Sequence, residues 1–195
     1  MLPSRVAQVL DDPVGIDSAV VEINNALLAN LPWLEYAFGK CEKLQENKER
    51  GSFPAVYSGN KEYIELFPDQ NKGNFSFFDI SERSNLNWIP NQLTGGTAEF
   101  GLVVWFNFEK VYPIDHETKS IENVKEQVVN VLNTVGLLNS RITCERILER
   151  VENIYNGYSL AQYRGFTFGH ISSPFMMRPY GVFRIEGTIK YQKNC

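Results

Sequence analysis

A few residues of this chain have a type and spacing that could support chemistry. One histidine, His116, stands between Asp115 and Glu117, and the other, His170, is remote in sequence. An Asp-His-Glu triplet could hold a metal ion or supply a base, but consecutive side chains rarely converge on one ion. A solvated turn is therefore the preferred interpretation of this triplet.

The cysteines give no stronger signal for a reactive or metal-binding site. Cys41, Cys144 and Cys195 are far apart and form no CxxC pair, so neither a structural zinc site nor a disulfide framework is predicted, and a reducing compartment is favoured. Cys144 lies near the start of a predicted helix, where a thiol pKa can be lowered. With no histidine placed beside it by the sequence, a buried thiol is the preferred interpretation.

Two other patterns also fail to match a known kind of site. The pair Gly95-Gly96 precedes a predicted strand rather than a helix, so it does not form the usual phosphate-binding loop. The acids in the region 62–79 are scattered and lack the spacing of a calcium loop. We therefore predict no catalytic residue, no cofactor-binding residue, no cofactor and no metal site.

Composition narrows the class of protein further. The chain has 195 residues, a formal net charge of −4 and no run of like charges, which disfavours a dedicated nucleic-acid binder. No apolar run has the length of a signal peptide or of a membrane span. We expect a soluble protein that is not exported by a classical signal, with no membrane partner and no sequence-specific binding of nucleic acid.

Residues 99–108 are the segment around which the remaining elements are arranged. Alternate residues are apolar on one face of this segment, and the other face is mostly apolar too. Alternation among β-branched and aromatic residues predicts a strand. Apolar residues on both faces predict that the strand is central and covered on each side.

Helical periodicity predicts the elements that cover it. A first helix begins at Asp17, whose side chain is a candidate cap, and stops at Pro32; Glu22, Asn24, Asn25 and Asn30 are expected largely off its apolar stripe. A second helix follows Ser120 and stops at Gly136. A third helix is predicted over residues 141–155, with a strand as the alternative for part of this segment because it is rich in β-branched residues.

The other segments predict a meander of short strands. Strands are expected at 33–44, 55–57 and 75–80, a charged turn at 45–52, and a polar irregular segment at 81–96. The closing strand alternates cleanly over 182–191, with one apolar face and one polar face expected to meet water. Residues 160–171 are predicted to be its partner strand. The expected fold class is α+β, a mostly antiparallel sheet with two or three helices packed on it.

The first fifteen residues are predicted to be an arm, and residues 16–195 a single domain. Val6, Val9 and Leu10 are the apolar residues of the arm. Two interpretations stay open: the arm is a frayed terminus, or it packs on a partner through these three side chains.

Residues 157–181 contain no Asp or Glu although the chain is acidic, and they are rich in aromatic residues. The link 172–181 is predicted to be a hairpin tip that projects from the core, and its aromatic, methionine and arginine side chains are those enriched at protein interfaces. The predicted interface residues here are Phe175, Met176, Met177, Arg178 and Tyr180. We expect substitution of the first three with Ser to spare stability and weaken association.

This order of elements, with its long central strand and closing amphipathic strand, resembles the tail-terminator and head-to-tail connector proteins of tailed phages. The many Asn residues and wide aromatic use are also similar to virion proteins of the crAss-like phages. The resemblance implies a structural subunit of a homo-oligomeric ring in the virion, assembled in the bacterial host cytoplasm. Its partners would be other copies of itself and neighbouring neck, portal or tail proteins. No functional residue carries over, since the family has no short motif to match.

Two other functions stay open on sequence alone. One is a small cytosolic ligand-binding or accessory protein with a pocket over the aromatic face of the sheet. The other is an enzyme whose site the sequence does not reveal. A monomer with a deep pocket would favour these readings, whereas a symmetric oligomer with a central opening would favour the ring subunit.

Overall fold

The structure is a computed structural model that describes residues 6–7, 12–45, 52–59, 61–69, 72–89, 92–134, 140–149, 151, 154, 166 and 171–192. In chain order the elements are β1 (Val6–Ala7), α1 (Ile16–Asn30), β2 (Tyr36–Lys40), β3 (Glu42–Gln45), β4 (Ser52–Gly59), β5 (Glu62–Glu65), β6 (Phe75–Ile89), β7 (Gln92–Asn107), α2 (Phe108–Val111), α3 (Ile121–Thr134), β8 (Ser140–Leu148), a short 3-10 helix (Ser173–Met176) and β9 (Tyr180–Gln192). These elements confirm the predicted α+β class.

The larger sheet has the strand order β1-β2-β6-β7-β9-β8. β1 and β6 both run parallel to β2, whereas β6, β7, β9 and β8 are joined in antiparallel pairs. The smaller sheet is an antiparallel meander of β3, β4 and β5. Because β7 pairs with β6 on one edge and β9 on the other, the prediction of a central strand at 99–108 is confirmed as far as Asn107, and Phe108 begins α2 instead.

β7 is buried on both faces, as its sequence predicts. Leu102 and Val104 point to one face, where they join a core that includes buried residues of α1 and α3. Val103 and Trp105 point to the other face, in a second core that includes residues of β4 and the region 66–67. The larger sheet is therefore the middle layer of three, with helices on one side and the smaller sheet on the other.

Both well-patterned helices are confirmed, with one difference at the start of α1. The N-cap is Gly15, at φ 60°, and no side chain caps the helix. Asp17 was predicted to cap it but instead forms an ion pair with Lys40 at 3.2 Å. Asn24, expected off the apolar stripe, is buried, and its Nδ2 donates to the carbonyl oxygen of Phe38 at 3.2 Å. α3 begins directly after Ser120, whose hydroxyl donates to Asn123 Oδ1.

The third predicted helix, at 141–155, is wrong over most of its length, because residues 140–148 form strand β8. Ile142 lies opposite Ile189 of β9, and Ile147 lies opposite Ile185. These β-branched pairs stabilise a strand at the side of β9. The strand alternative was therefore the correct one for this part of the segment.

Three predicted strand boundaries are also wrong. The single strand predicted at 33–44 is divided at Cys41, so that β2 and β3 belong to different sheets. The predicted strand 75–80 continues to Ile89, and the described parts of the segment 81–96, residues 81–89 and 92–96, are strand rather than irregular, because β6 and β7 stay paired to Ile89 and Gln92. Asn85, Leu86 and Asn87 are exposed there, so this part of the ribbon is held by backbone hydrogen bonds. It has little of the apolar alternation from which a strand is predicted.

The closing strand β9 has the predicted apolar face, but the face that was predicted to meet water is buried at two positions. Phe183, Ile185 and Ile189 are buried as predicted, whereas Arg184 and Glu186, on the face assigned to water, are only 1% and 2% exposed. Between Arg184 and Tyr191, β9 has β7 on one edge and β8 on the other, so the predicted pairing with 160–171 is wrong along that stretch.

Several predictions fall outside the described residues. These are most of the turn 45–52, the helix stop at Gly136, most of the segment 160–171, and the side chains of Val9 and Leu10 in the arm. Among the helices that the structure describes, none combines the length and apolar character needed to span a membrane.

We predict that Val104→Asp lowers the free energy of unfolding by about 3 kcal/mol or more, because it places a charge without a partner between β7 and the helices. Urea unfolding followed by circular dichroism measures this loss. The control is Asn85→Asp on the exposed part of β6, expected to change the free energy by no more than about 0.5 kcal/mol. An unchanged unfolding midpoint for Val104→Asp would contradict the central position of β7.

Candidate functional site

Three exposed apolar side chains lie on two loops at one end of the larger sheet. Ile114, in the loop between α2 and α3, is 100% exposed, and Met176 and Met177, just before β9, are 45% and 60% exposed. Aromatic, methionine and arginine side chains are the types enriched at protein interfaces. We name Ile114, Met176, Met177 and Arg178 the Arg178 surface.

Arg178 holds the two loops together. Its Nη2 donates to the carbonyl oxygens of His116 and Lys119, the latter at 3.1 Å. The guanidinium carbon lies 4.8 Å from the centre of the Phe108 ring, a cation–π contact. The two loops that carry the exposed apolar residues are therefore joined through Arg178 and are not independent segments.

The other two residues predicted for this interface pack against the core, Phe175 buried and Tyr180 only in part. Phe175 is buried, and its ring meets that of Tyr180 edge to face at 4.9 Å. Tyr180 is half-buried and packs against the same core. Phe175 therefore does not project from the core as predicted, because the short 3-10 helix turns its side chain inward. The expectation that Phe175 is dispensable for stability is wrong, while a contact role for Met176, Met177 and Arg178 stays a prediction.

The N-terminal arm is described at Val6 and Ala7, which form β1, and at residues 12–15, just before α1. Val6 lies opposite Tyr36, and Ala7 opposite Ala37, as a parallel addition to the edge of β2. This short segment therefore pairs with its own chain. A contact between the arm and a partner through Val6, Val9 and Leu10 stays a prediction.

A buried network of ion pairs lies on the face of the larger sheet that is turned away from the helices. Arg184 of β9 donates from Nη1 to Asp79 Oδ2 and from Nε to Glu186 Oε1, both at 2.9 Å. Arg146 Nε of β8, which is half exposed, lies 3.3 Å from Glu186 Oε2. The network thus ties β6, β9 and β8 across the intervening strand β7.

Gly101 of β7 makes this network possible. It lies opposite Asp79 on one side and opposite Glu186 on the other. A Cβ atom at Gly101 would stand 2.1 Å from Arg184 Cζ, so a larger residue cannot occupy the position without moving the guanidinium. The absent side chain lets the arginine reach across β7 to Asp79.

The arrangement of this network suits it to holding the strands together rather than to transferring protons. Each carboxylate is held by a guanidinium group, and Asp79, Arg184 and Glu186 are all buried. Sequence reasoning placed Asp79 among scattered acids and Glu186 on a wet face. The available signal was the pair Arg184 and Glu186, two residues apart on one strand face, with a glycine in the central strand beside them.

The surroundings of two other titratable groups, Lys125 and Cys144, explain the shifts of their pKa values. Burial lowers the pKa of Lys125 in α3, but hydrogen bonds and charges from Glu122 and Glu149 outweigh it, so that the pKa is raised. Cys144 lies in β8 rather than at a helix start, and burial raises the pKa of its thiol. A raised pKa leaves less thiolate at neutral pH, the opposite of an activated nucleophile.

Two cavities border the described residues. One, of about 60 Å³, lies at the end of β7 among Asp69, Lys72, Asn74, Lys110 and Tyr180. The other is an open groove of about 300 Å³ on the smaller sheet, lined by Leu44, Gln45, Phe53, Tyr63 and Glu65. Within the described part of the chain, no three His, Cys, Asp or Glu side chains are grouped to hold a metal ion.

Neither a scan against models of known protein families nor a search of curated proteins finds a significant match to this sequence.

We predict that Arg184→Met lowers the free energy of unfolding by about 3–5 kcal/mol, because it leaves two buried carboxylates without their shared cation. The triple variant Asp79→Leu, Arg184→Met, Glu186→Leu should recover much of this loss, since it removes the charges together. Urea unfolding of both proteins tests the pair of expectations.

The control for this pair is Arg146→Met, which removes the half-exposed arginine of the same network and should cost less than about 1 kcal/mol. If Arg184→Met and Arg146→Met cost the same, the buried network does not tie the sheet together.

Proposed function

We propose that this protein is a structural assembly protein that acts through protein–protein contacts at the Arg178 surface. The observation that carries the proposal is the exposure of Ile114, Met176 and Met177 on two loops that Arg178 ties together. Loops that are joined in this way need less further backbone ordering when a partner covers them, so less conformational entropy is lost on binding.

The size of the surface indicates the strength of contact it supports. Burial of a fully exposed Met or Ile side chain contributes roughly 1.5–3 kcal/mol, so these three, two of them already partly buried, contribute at most roughly 5–9 kcal/mol. Association itself costs an estimated 4–15 kcal/mol. The Arg178 surface alone is therefore too small for tight binding and needs further contacts, as expected of a subunit that assembles on a template.

The finer proposal is a subunit of a homo-oligomeric ring at the head-to-tail interface of a tailed-phage virion, where it meets neighbouring neck, portal or tail proteins. This part rests on the resemblance in element order. A head-to-tail contact between two different patches of identical subunits closes into a ring when its rotation permits. The Arg178 surface would provide one of the two patches.

The ligand-binding alternative has one observation in its favour, the open groove on the smaller sheet. The aromatic face of the larger sheet, where that alternative was first placed, is filled by Phe75, Phe77 and Trp105, all of them buried. A small-molecule site would thus lie on β3, β4 and β5 rather than over the central strand.

We predict that Met176→Ser combined with Met177→Ser weakens assembly while changing the free energy of unfolding by no more than about 1 kcal/mol, because both side chains are exposed. Electron microscopy of native particles that contain the protein, and co-purification of the variant with them, measure the assembly. The matched variant is Phe175→Ser, expected to cost about 3 kcal/mol or more because its ring is in the core.

Normal incorporation of the double variant into a particle would exclude the Arg178 surface as the contact. A protein that joins no particle and converts a small molecule as a monomer would contradict the structural function altogether.

A further inference from the structure

β8 forms one edge of the six-stranded sheet. Its inner edge pairs with β9 from Ser140 to Leu148, and no strand in the described ranges pairs with its outer edge. An edge strand of nine residues presents a row of backbone donors and acceptors, which is a template for pairing with another strand.

The residues on either side of Thr143 are complementary to one another. Arg141, Thr143 and Glu145 are exposed, with a cation at one end and a carboxylate at the other. Ile142 and Cys144 alternate with them and are half-buried against the core beneath the helices. The sequence thus reads cation, apolar, Thr, apolar, anion, which is self-complementary when the strand direction is reversed.

We propose that the outer edge of β8 binds β8 of a second copy of this chain, antiparallel, about a two-fold axis that passes beside Thr143. In this register Thr143 lies opposite Thr143 of the second copy, and Arg141 lies opposite Glu145 of the second copy. Ile142 meets Cys144 of the second copy on the other face. The Arg141–Glu145 and Ile142–Cys144 pairs each form twice, because a two-fold contact uses the same patch on both subunits, whereas the Thr143 pair lies on the axis and forms once.

The charge pattern selects this register and this partner. Opposite residues of an antiparallel pair point to the same face, so a symmetric contact must be centred on a residue. Centring it on Ile142 or on Cys144 separates Arg141 from Glu145 of the second copy. Glu145 also has no register partner in β9, since β8 bulges between Cys144 and Arg146.

The apolar side of the contact continues an existing core. Ile142, Cys144 and Val129 of α3 are half-buried at the margin of the core between the sheet and the helices. Ile147, next along the edge, is 37% exposed. A second copy at this edge would extend the sheet across the axis and cover these side chains, as a neighbouring strand covers them inside the sheet.

The experiment is oxidative cross-linking of Thr143→Cys, with Arg141→Cys as the matched control. Directly opposite Cα atoms lie about 4.5–5.5 Å apart, within the range that a disulfide spans. Position 141 lies about 14 Å from position 141 of the second copy, which is too far. We expect a covalent dimer from Thr143→Cys and little or none from Arg141→Cys, with peptide mapping by mass spectrometry to exclude bonds through native cysteines.

A charge exchange tests the register independently. Arg141→Glu and Glu145→Arg, each alone, should weaken the dimer about tenfold or more in sedimentation velocity, and the two together should restore it. Equal cross-linking of both cysteine variants, or wild-type protein that stays monomeric from micromolar to millimolar concentration, would overturn the proposal. Circular dichroism of each variant confirms that it is folded. These outcomes leave the function of the Arg178 surface untouched, because its variants lie at the other end of β9.

Discussion

The rest of the architecture follows from a strand that is apolar on both faces. β7 cannot expose either side to water, so one face is covered by α1 and α3 and the other by the smaller sheet together with buried residues such as Ile154 and Phe166. Burial of the second face has a consequence for β9, whose Arg184 and Glu186 point there. Charged groups on that face must be paired, which explains the ion network with Asp79 and the glycine that makes room for it.

The sequence predicts this fold where one periodicity is strong and local. The stripes of α1 and α3 and the alternation of β7 and β9 are each contained in a single segment, and all four elements were found. The predictions failed where structure depends on a neighbour distant in the chain. Residues 141–148 have apolar positions that fit a helix or a strand, and their pairing with Ile185 and Ile189 decides the matter. The ribbon formed by residues 81–89 and 92–96 is held by backbone pairing, which side-chain patterns do not report.

The same limit applies to the candidate site. Residue type correctly marked 172–181 as unusual, but only the three-dimensional structure separates Phe175, which faces Tyr180 in the core, from Met176 and Met177, which face water. Ile114 could not be assigned to this surface from sequence, because Arg178 joins its loop to the methionines across about sixty residues of chain. The charge complementarity of β8 has the converse limit. The residues that form the pattern are adjacent in sequence, but the pattern indicates a contact only once β8 is known to be an edge strand.

The two proposed contacts are compatible because one strand separates them. β9 begins at Tyr180 beside the Arg178 surface and passes Thr188, the residue opposite Thr143 of β8. Eight residues of antiparallel strand span about 27 Å, so the two contacts use different residues of the subunit. An isologous contact at β8 closes on itself in pairs, whereas a head-to-tail contact at the Arg178 surface propagates until its rotation closes a ring. If both form, the pairing through β8 doubles the number of surfaces that each assembling unit presents, and the weak individual contacts then reinforce one another by raising the effective local concentration.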